Sequence, residues 1–289
     1  MVGMGYKQNM RDFRTTMSVV RIGEYTVDGE RVRVPGVLED WLSVQVFAAD
    51  EVLGLVDRAS HDSRASAGEG CVIEVTQQDS LTAAEELVRT SGGSEGERPP
   101  LVLNFANPVE PGGGVTRGAR AQEEDLCRRS TLYLSLNSVA AEPYYRENSA
   151  AHPGLFTHNA LVSPHVWVLR SADMAFMREP VEVAVITMAA PYVPCTVAVT
   201  SAELHATVAT RIEGMLRIAE SLGYDRLVLG AWGCGVFGND PEQVASCFRE
   251  ALSRCGGAFQ QVRFAVPGPS HNHEVFARVL SDTDGSRTC

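Results

Sequence analysis

Two adjacent glutamates follow closely after three consecutive glycines in the stretch NFANPVEPGGGVTRGARAQEEDL, residues 104–126. The glycines occupy positions 112–114, and after seven residues the triplet Gln-Glu-Glu occupies positions 122–124. Neighbouring carboxylates repel each other, and beside a bound anion the pKa of one of them rises. A carboxyl group that stays protonated near neutral pH can donate a proton to a leaving oxygen. This chemistry is typical of glycosidic bond cleavage through an oxocarbenium-like state.

A second glycine-rich segment, GAWGCGVFGN at residues 230–239, provides a complementary binding feature. Glycine permits positive φ and lets a ligand approach the backbone closely. Successive backbone N–H groups in such turns bind anions. Two glycine loops at one sheet edge could therefore hold a diphosphate between them, which predicts a nucleotide-sugar ligand. The alternative is two tight turns without a ligand.

The elements that must position these loops alternate between strands and helices. Runs rich in Val, Ile and Leu predict buried strands at residues 71–76, 101–106, 181–189, 226–231 and 261–266. Apolar residues at helical spacing predict helices at residues 81–90, 121–136, 203–222 and 241–254, and the stretch 37–66 is typical of a helix with polar breaks. This order predicts an α/β fold, a mostly parallel or mixed sheet covered on both faces, with ligands bound at the carboxyl ends of strands.

The position of the two glutamates has a plainer explanation as well. They open the predicted helix 121–136, and the partial positive charge of a helix N-terminus stabilises acidic residues.

Composition excludes several classes of protein. The chain has 289 residues and a formal net charge of −11, whereas proteins that grip a long polyanion along its length are normally basic. Phosphate is therefore expected to bind locally at backbone amides, and no sequence-specific nucleic-acid binding is expected. The longest apolar run, residues 183–190, is too short to span a membrane, and the N-terminus has no apolar core of a signal peptide.

Cysteine and histidine spacing predicts no metal site. Seven cysteines, an odd number without a Cys-x-x-Cys pair, indicate reduced thiols in a cytoplasmic protein. His271 and His273 have no further ligand at metal-binding spacing. The pattern Gly-x-Gly-x-x-Gly at 233–238 matches a dinucleotide fingerprint, but too few residues follow it to complete a doubly wound domain. Cys234 is better explained by its backbone amide than as a nucleophile, since no histidine is near it in the sequence.

Three glycines, a seven-residue gap and Gln-Glu-Glu resemble the signature of poly(ADP-ribose) glycohydrolases. Residues 230–239 resemble the diphosphate loop of macrodomains, and the flanking residues 104–130 and 229–241 are similar to the compact, bacterial-type branch of the glycohydrolase family. The resemblance covers residues 10–280, nearly the whole chain. It implies a macrodomain-like mixed sheet between helices and a terminal-ADP-ribose hydrolase that needs no metal or redox cofactor.

The resemblance also implies a role for each site residue. Glu124 is expected to be the catalytic acid and base, Glu123 and Asn107 to orient the hydroxyls of the distal ribose, and Gln122 to support the geometry of the motif. The remaining expected ligand contacts are Gly112 under the distal ribose, Gly113 and Gly114 on one side of the diphosphate, Gly233, Cys234, Gly235 and Val236 on the other, and Phe237 against the distal ribose or adenosine. Asp79 is expected either to bind the adenine amino group or to cap the helix 81–90.

Two alternative functions remain open for this fold. The same fold could bind ADP-ribose without hydrolysis, although Glu123 and Glu124 argue against it, or it could hydrolyse another ADP-ribosyl adduct on protein or nucleic acid. The expected partners are ADP-ribose and poly(ADP-ribose) or ADP-ribosylated macromolecules.

Residues 1–70 are expected to form a mainly helical extension packed on the core, residues 71–280 the macrodomain core, and residues 281–289 a C-terminal tail.

Overall fold

Ten α-helices and nine β-strands form the part of the chain that the computed structural model describes, residues 2–61, 70–91, 97–196 and 198–281. The helices α1–α10 are Val2–Ile22, Leu38–Leu42, Ala49–His61, Ser80–Ser91, Gln122–Arg129, Leu132–Leu136, Glu142–Ala150, Ser201–Ser221, Pro241–Cys255 and His271–Ser281. The strands β1–β9 are Glu24–Val27, Glu30–Arg33, Gln45–Phe47, Val72–Thr76, Leu101–Phe105, Ala160–Arg170, Phe176–Met188, Arg226–Leu229 and Gln261–Ala265.

Seven strands form one mixed sheet in the order β3-β6-β7-β5-β8-β9-β4. Strands β7, β5, β8, β9 and β4 run parallel, whereas β6 runs antiparallel to both of its neighbours. Strands β1 and β2 form a separate hairpin. Because β5 and β8 are adjacent and parallel, the two glycine-rich loops that follow them emerge side by side at one sheet edge.

Side chains on the two faces of the sheet enter two hydrophobic layers. On one face, Leu101 and Leu103 of β5 pack in a buried cluster with residues of α3, α8, α9 and α10. On the other face, Val102 packs in a cluster with residues of α1, α4, α5, α6 and α7. The alternation along β5 explains why Leu101, Val102 and Leu103 are all apolar, as a strand buried on both faces requires.

Local sequence signals fix the long helices at the positions that their periodicity predicts. At the start of α8, the Thr200 hydroxyl accepts a hydrogen bond from the Glu203 N–H, and the Glu203 carboxylate accepts one from the Thr200 N–H. At the start of α9, Asp240 accepts a hydrogen bond from the Glu242 N–H, and Pro241 occupies the first helical position.

Two sequence predictions need correction, and one strand was missed. The stretch 37–66, of which residues 62–66 lie outside the described residues, is not continuously helical, because β3 interrupts it and pairs with β6 at the edge of the sheet. Strand β6 was not predicted; its apolar pattern is broken by Pro164 and His165, where the pairing with β7 shifts register. The predicted helix 121–136 is divided, because Ser130 takes an extended conformation and bridges Val168 of β6.

The segment before β4 contributes to the main sheet through β3, and α1 packs against α5. The division into an extension, a core from residue 71 and a tail from residue 281 stays a prediction, and residues 282–289 of that tail lie outside the described residues. None of the described helices is long and apolar enough to cross a membrane.

Candidate active site

The side chain of Gln122 fastens the first turn of α5 to the end of β5. Gln122 Oε1 accepts a hydrogen bond from the Phe105 N–H at 2.9 Å, and Nε2 donates to the Leu103 carbonyl at 2.7 Å and to the Ser80 hydroxyl at 3.0 Å. These three partners lie in β5 and at the start of α4, so Gln122 fixes the position of the two glutamates that follow it.

Glu123 lies beneath the end of β5, only 3% exposed. Its Oε1 accepts a hydrogen bond from Asn104 Nδ2 at 3.2 Å, and its Oε2 accepts one from the Asn107 N–H at 2.8 Å. Burial raises the pKa of Glu123 to about 8, against the lowering effect of these hydrogen bonds, and the charge of Glu124 adds a smaller upward contribution. Repulsion within the pair, the cause expected from the sequence, is therefore secondary to burial.

Glu124 is held by the glycine loop. Its Oε1 accepts a hydrogen bond from the Gly114 N–H at 2.8 Å, while its Oε2 is buried and has no hydrogen-bond partner among the described residues. Gly113 has a φ of +56°, and a Cβ added there would lie 2.5 Å from Glu124 Oε1 and 3.0 Å from Glu123 Oε2. Only glycine at this position allows the loop to approach both carboxylates, which explains the central glycine of the triplet.

Asn107 organises the loop between β5 and the glycines. Its Oδ1 accepts hydrogen bonds from the Val109 and Glu110 N–H groups, each at 2.9 Å, and its own N–H binds Glu123. Glu110 in turn pairs with both terminal nitrogens of Arg117 at 2.5 and 2.6 Å. Asn107 Nδ2 forms no hydrogen bond within the described part of the chain, so it is free to donate to a ligand hydroxyl.

The second loop is shaped by a side chain that the sequence analysis did not single out. Asn239 Nδ2 donates to the Pro191 carbonyl at 2.8 Å and to the Gly233 carbonyl at 3.1 Å. Gly233 has a φ of +75°, and a Cβ there would lie 2.5 Å from Asn239 Nδ2. From α10, Asn272 Nδ2 donates to the Cys234 carbonyl at 3.4 Å, which ties this loop to the last helix. Gly235 and Val236 remain exposed at the tip.

A cavity of about 320 Å³ lies between the second loop and the start of α5. The site residues predicted from sequence that line it are Gln122, Gly233, Gly235, Val236 and Phe237. Residues that sequence analysis missed complete the wall: Phe105, Ala106, Ala121, Ala190, Ala231, Trp232, Ala265, Val266, Pro267, Ser270 and Asn272. The lining does not include residues 112–114, where an added Cβ would meet the glutamates or neighbouring side chains. It also leaves out the predicted site residues Asp79, Asn107, Glu123, Glu124 and Cys234.

Asp79 takes the capping position that the sequence analysis offered as one of two roles. Its Oδ1 accepts hydrogen bonds from the Thr82 N–H at 2.9 Å and from Arg129 Nη1 at 2.7 Å. Burial raises the pKa of Asp79, but the charge of Arg129 and the hydrogen bonds with Thr82 and Arg129 outweigh it, and the net pKa lies below the ordinary value. Asp79 also lines a smaller cavity of about 230 Å³ together with Gln122 and Arg120, so binding of adenine stays a prediction.

Comparisons with known proteins match most of the chain. The family model described as Microbial-type PARG, catalytic domain, matches residues 14–171. The crystal structure of poly(ADP-ribose) glycohydrolase from Thermomonospora curvata is 32% identical with a TM-score of 0.84, and the match covers 94% of this chain and 99% of that chain. The glycohydrolase from Deinococcus radiodurans in complex with ADP-ribose is 35% identical with a TM-score of 0.76, over 87% of this chain and 99% of that one.

The same T. curvata protein bound to the inhibitor ADP-HPD matches with a TM-score of 0.82. No curated protein sequence matches the chain. The central mixed sheet with the buried glutamate pair at the end of β5 defines a macrodomain-like α/β domain. Within that class, the chain belongs to the microbial-type PARG catalytic-domain family.

Proposed function

We propose that the protein is a poly(ADP-ribose) glycohydrolase that cleaves the ribose–ribose O-glycosidic bond at the terminal unit and releases ADP-ribose. The observation that carries this proposal is the asymmetric environment of Glu124. One carboxylate oxygen is fixed by the Gly114 N–H, and the other is buried without a partner among the described residues. The oxygen without a partner keeps its full capacity to bind a proton and to exchange it with a substrate or water that reaches the site.

Proton transfer from Glu124 begins the reaction. Glu124 in its acid form donates its proton to the 2′-oxygen of the neighbouring unit as the bond between that oxygen and the anomeric carbon breaks. The bonding electron pair leaves with the oxygen, and positive charge develops on the distal ribose. The substrate diphosphate, held between the two glycine loops, and the resulting Glu124 carboxylate stabilise this charge.

Water completes the reaction. The ionised Glu124 accepts a proton from a water molecule whose oxygen forms a bond to the anomeric carbon, and the carboxylic acid is regenerated. Glu123 and the Nδ2 of Asn107 orient the distal ribose hydroxyls. The raised pKa of Glu123 keeps this side chain largely neutral at physiological pH, so the pair presents less negative charge to the substrate diphosphate.

We expect cleavage at the chain end, with the terminal unit of the polymer inserted into the cavity. A volume of about 320 Å³ lies at the lower limit for small-molecule sites, and segments from five parts of the chain wall it. We expect ADP-ribose to be the first product seen on a gel of a long-polymer digest. Early release of long oligomers without monomer would contradict terminal cleavage.

A parallel assay of three substrates tests the proposal against its alternatives. Purified protein is offered poly(ADP-ribose), mono-ADP-ribosylated protein and ADP-ribosylated nucleic acid, and released ADP-ribose is quantified. Fastest release from the polymer supports the proposal. Release only from one of the other adducts would assign a different ADP-ribosyl hydrolase, and tight ADP-ribose binding without any release would assign a binding module.

A cytoplasmic location belongs to the same proposal, because the described cysteines are free thiols.

A further inference from the structure

Helix α1 carries a row of positive charges on one face. Lys7, the single lysine of the chain, is followed by Arg11, Arg14 and Arg21 at spacings of four, three and seven residues. At 3.6 residues per turn these positions fall within about 80° of the helix circumference. All four side chains are exposed, and three of them line a shallow groove of about 450 Å³ along the helix. We refer to these four residues as the α1 basic face.

The charges of the α1 basic face are not neutralised by ion pairs within the part of the chain that the structure describes. Within the described ranges, none of the four side chains forms an ion pair with a carboxylate. The single carboxylate of the helix, Asp12, accepts a hydrogen bond from Gln8 at 2.9 Å. Most other arginines are engaged, as in the pairs of Arg129 with Asp79 and of Arg254 with Glu213. In a chain of net charge −11, an unpaired basic row of this length is a local feature that the overall charge conceals.

The row begins beside the candidate active site. Asn9 Nδ2 donates to the Gly118 carbonyl at 2.8 Å, and the backbone of Tyr6 contacts Gly118 so closely that no Cβ would fit there. Gly118 follows Gly114 by four residues, and a Cβ on Gly114 would lie 3.6 Å from Glu124 Oε1 and 3.7 Å from Arg117. The start of α1 therefore packs against the same glycine-loop segment whose Gly114 N–H binds Glu124.

The opposite face of α1 packs against the core of the domain. Phe13 packs edge to face on Tyr133 with ring centroids 5.0 Å apart, and Thr16 donates to the Arg128 carbonyl at 2.7 Å. Val20 is 4% exposed. Among the α1 side chains that the structure describes, the two exposed large apolar ones, Tyr6 and Ile22, lie at opposite ends of the helix and form no continuous apolar face for a lipid surface. Between them the exposed side of the helix offers a partner positive charge and polar groups.

We propose that the α1 basic face binds the diphosphates of the poly(ADP-ribose) chain that extends beyond the cleaved bond. Cations at consecutive helical turns match an anionic chain that leaves the site and follows the helix for about 20 Å. The contact retains the polymer after each terminal unit is released. This inference rests on the proposed function, since it assumes that the polymer is the substrate.

A matched pair of triple variants tests the inference. K7Q/R11Q/R14Q neutralises the three groove-lining cations, and R33Q/R58Q/R89Q neutralises three exposed arginines outside α1 that form no ion pair among the described residues. Both variants change the net charge equally. Turnover is measured on a polymer of about twenty units and on the ADP-ribose dimer, over a range of salt concentrations, with melting temperature as the folding check.

We expect the α1 variant to raise the KM for the long polymer at least about tenfold at low salt while kcat and dimer hydrolysis stay unchanged. The slope of log KM against log salt concentration should be smaller by about 2 in this variant, because each of the three lost phosphate contacts contributes about 0.7 to the slope on a single strand. An unchanged KM for the long polymer, an equal effect in the control triple, or an equal loss on the dimer would overturn the inference. Equally tight binding of single-stranded DNA to this face, with polymer KM unaffected, would also overturn it. Failure of the wild-type protein to release ADP-ribose from either substrate would instead refute the proposed function.

Discussion

Replacing Gly113 by alanine perturbs the contact between the glycine loop and the catalytic carboxylate with a single methyl group. The backbone of Gly113 has a φ of +56°, which an L-residue with a Cβ adopts at a penalty of about 1–2 kcal/mol. The new Cβ would lie 2.5 Å from Glu124 Oε1, whereas ordinary contact begins at 3.4 Å. The Glu124 carboxylate must therefore move by about 1 Å, and its hydrogen bond from the Gly114 N–H is lost or lengthened.

A displacement of this size in a reacting group lowers turnover by about 100-fold. We expect Gly113→Ala to reduce kcat on poly(ADP-ribose) by about that factor and to lower the free energy of unfolding by about 1–3 kcal/mol. Gly23→Ala is the matched control, because Gly23 has a φ of +83° and a Cβ there meets no atom within 4 Å. The control should lose similar stability through its backbone and keep its turnover.

Denaturant unfolding and steady-state release of ADP-ribose, measured on both variants, separate the two effects. If folded Gly113→Ala turns over within about threefold of Gly23→Ala, the close approach of the loop does not position Glu124, and the reasoning from the Cβ clash fails.

Three further variants probe other parts of the site. Phe237 is half buried and packs edge to face on Tyr192, with ring centroids 5.4 Å apart. Phe237→Ala should weaken ADP-ribose binding by about 1–3 kcal/mol in calorimetry. Unchanged affinity would mean that the ring serves only in packing. The pKa of Glu123 is about 8 in the folded protein, against an ordinary value of 4.5 that applies to the unfolded chain. The contribution of Glu123 to the free energy of unfolding is therefore fully present below pH 4.5 and is lost as the pH rises to about 8. Glutamine does not titrate, so the free energy of unfolding of Glu123→Gln should rise relative to that of the wild type by roughly 3–5 kcal/mol between pH 5 and pH 8. Denaturant unfolding measures this difference, and a difference independent of pH would contradict the prediction. Asp79→Asn weakens the contact with buried Arg129 and should lower the melting temperature; an additional loss of ADP-ribose affinity would support adenine binding, whereas unchanged affinity would leave only the structural role.

The parts of the fold that sequence predicts well are those whose signals are local. Strand β5 is recognisable because the run of Leu101, Val102 and Leu103 is apolar on both faces, and α8 because its period and its capping box agree. Strand β3 is only three residues long within a helix-like stretch, so its pairing with β6 decides its structure. The break after α5 likewise depends on the bridge between Ser130 and Val168, a contact between residues far apart in the chain.

The candidate site divides in the same way. Residues 112–114 and 122–124 form a contiguous motif whose spacing is visible in the sequence, as is the second glycine loop. Asn239 and Asn272, which hold that second loop, carry no motif, because their role depends on carbonyls brought near them by the fold. The large upward shift in the pKa of Glu123 was also not predictable in its cause, since it depends mainly on burial beneath β5.

The central claim is that Glu124 transfers the proton, and single-turnover hydrolysis of poly(ADP-ribose) by Glu124→Gln tests it most directly. Glutamine keeps the size and the hydrogen bond from the Gly114 N–H but cannot deliver or accept a proton, so the rate should fall by at least about 10²–10⁴-fold. Calorimetric affinity for ADP-ribose should stay near the wild-type value, and Glu123→Gln should lose less rate. A Glu124→Gln variant that melts like the wild type and still releases ADP-ribose near the wild-type rate would contradict the account.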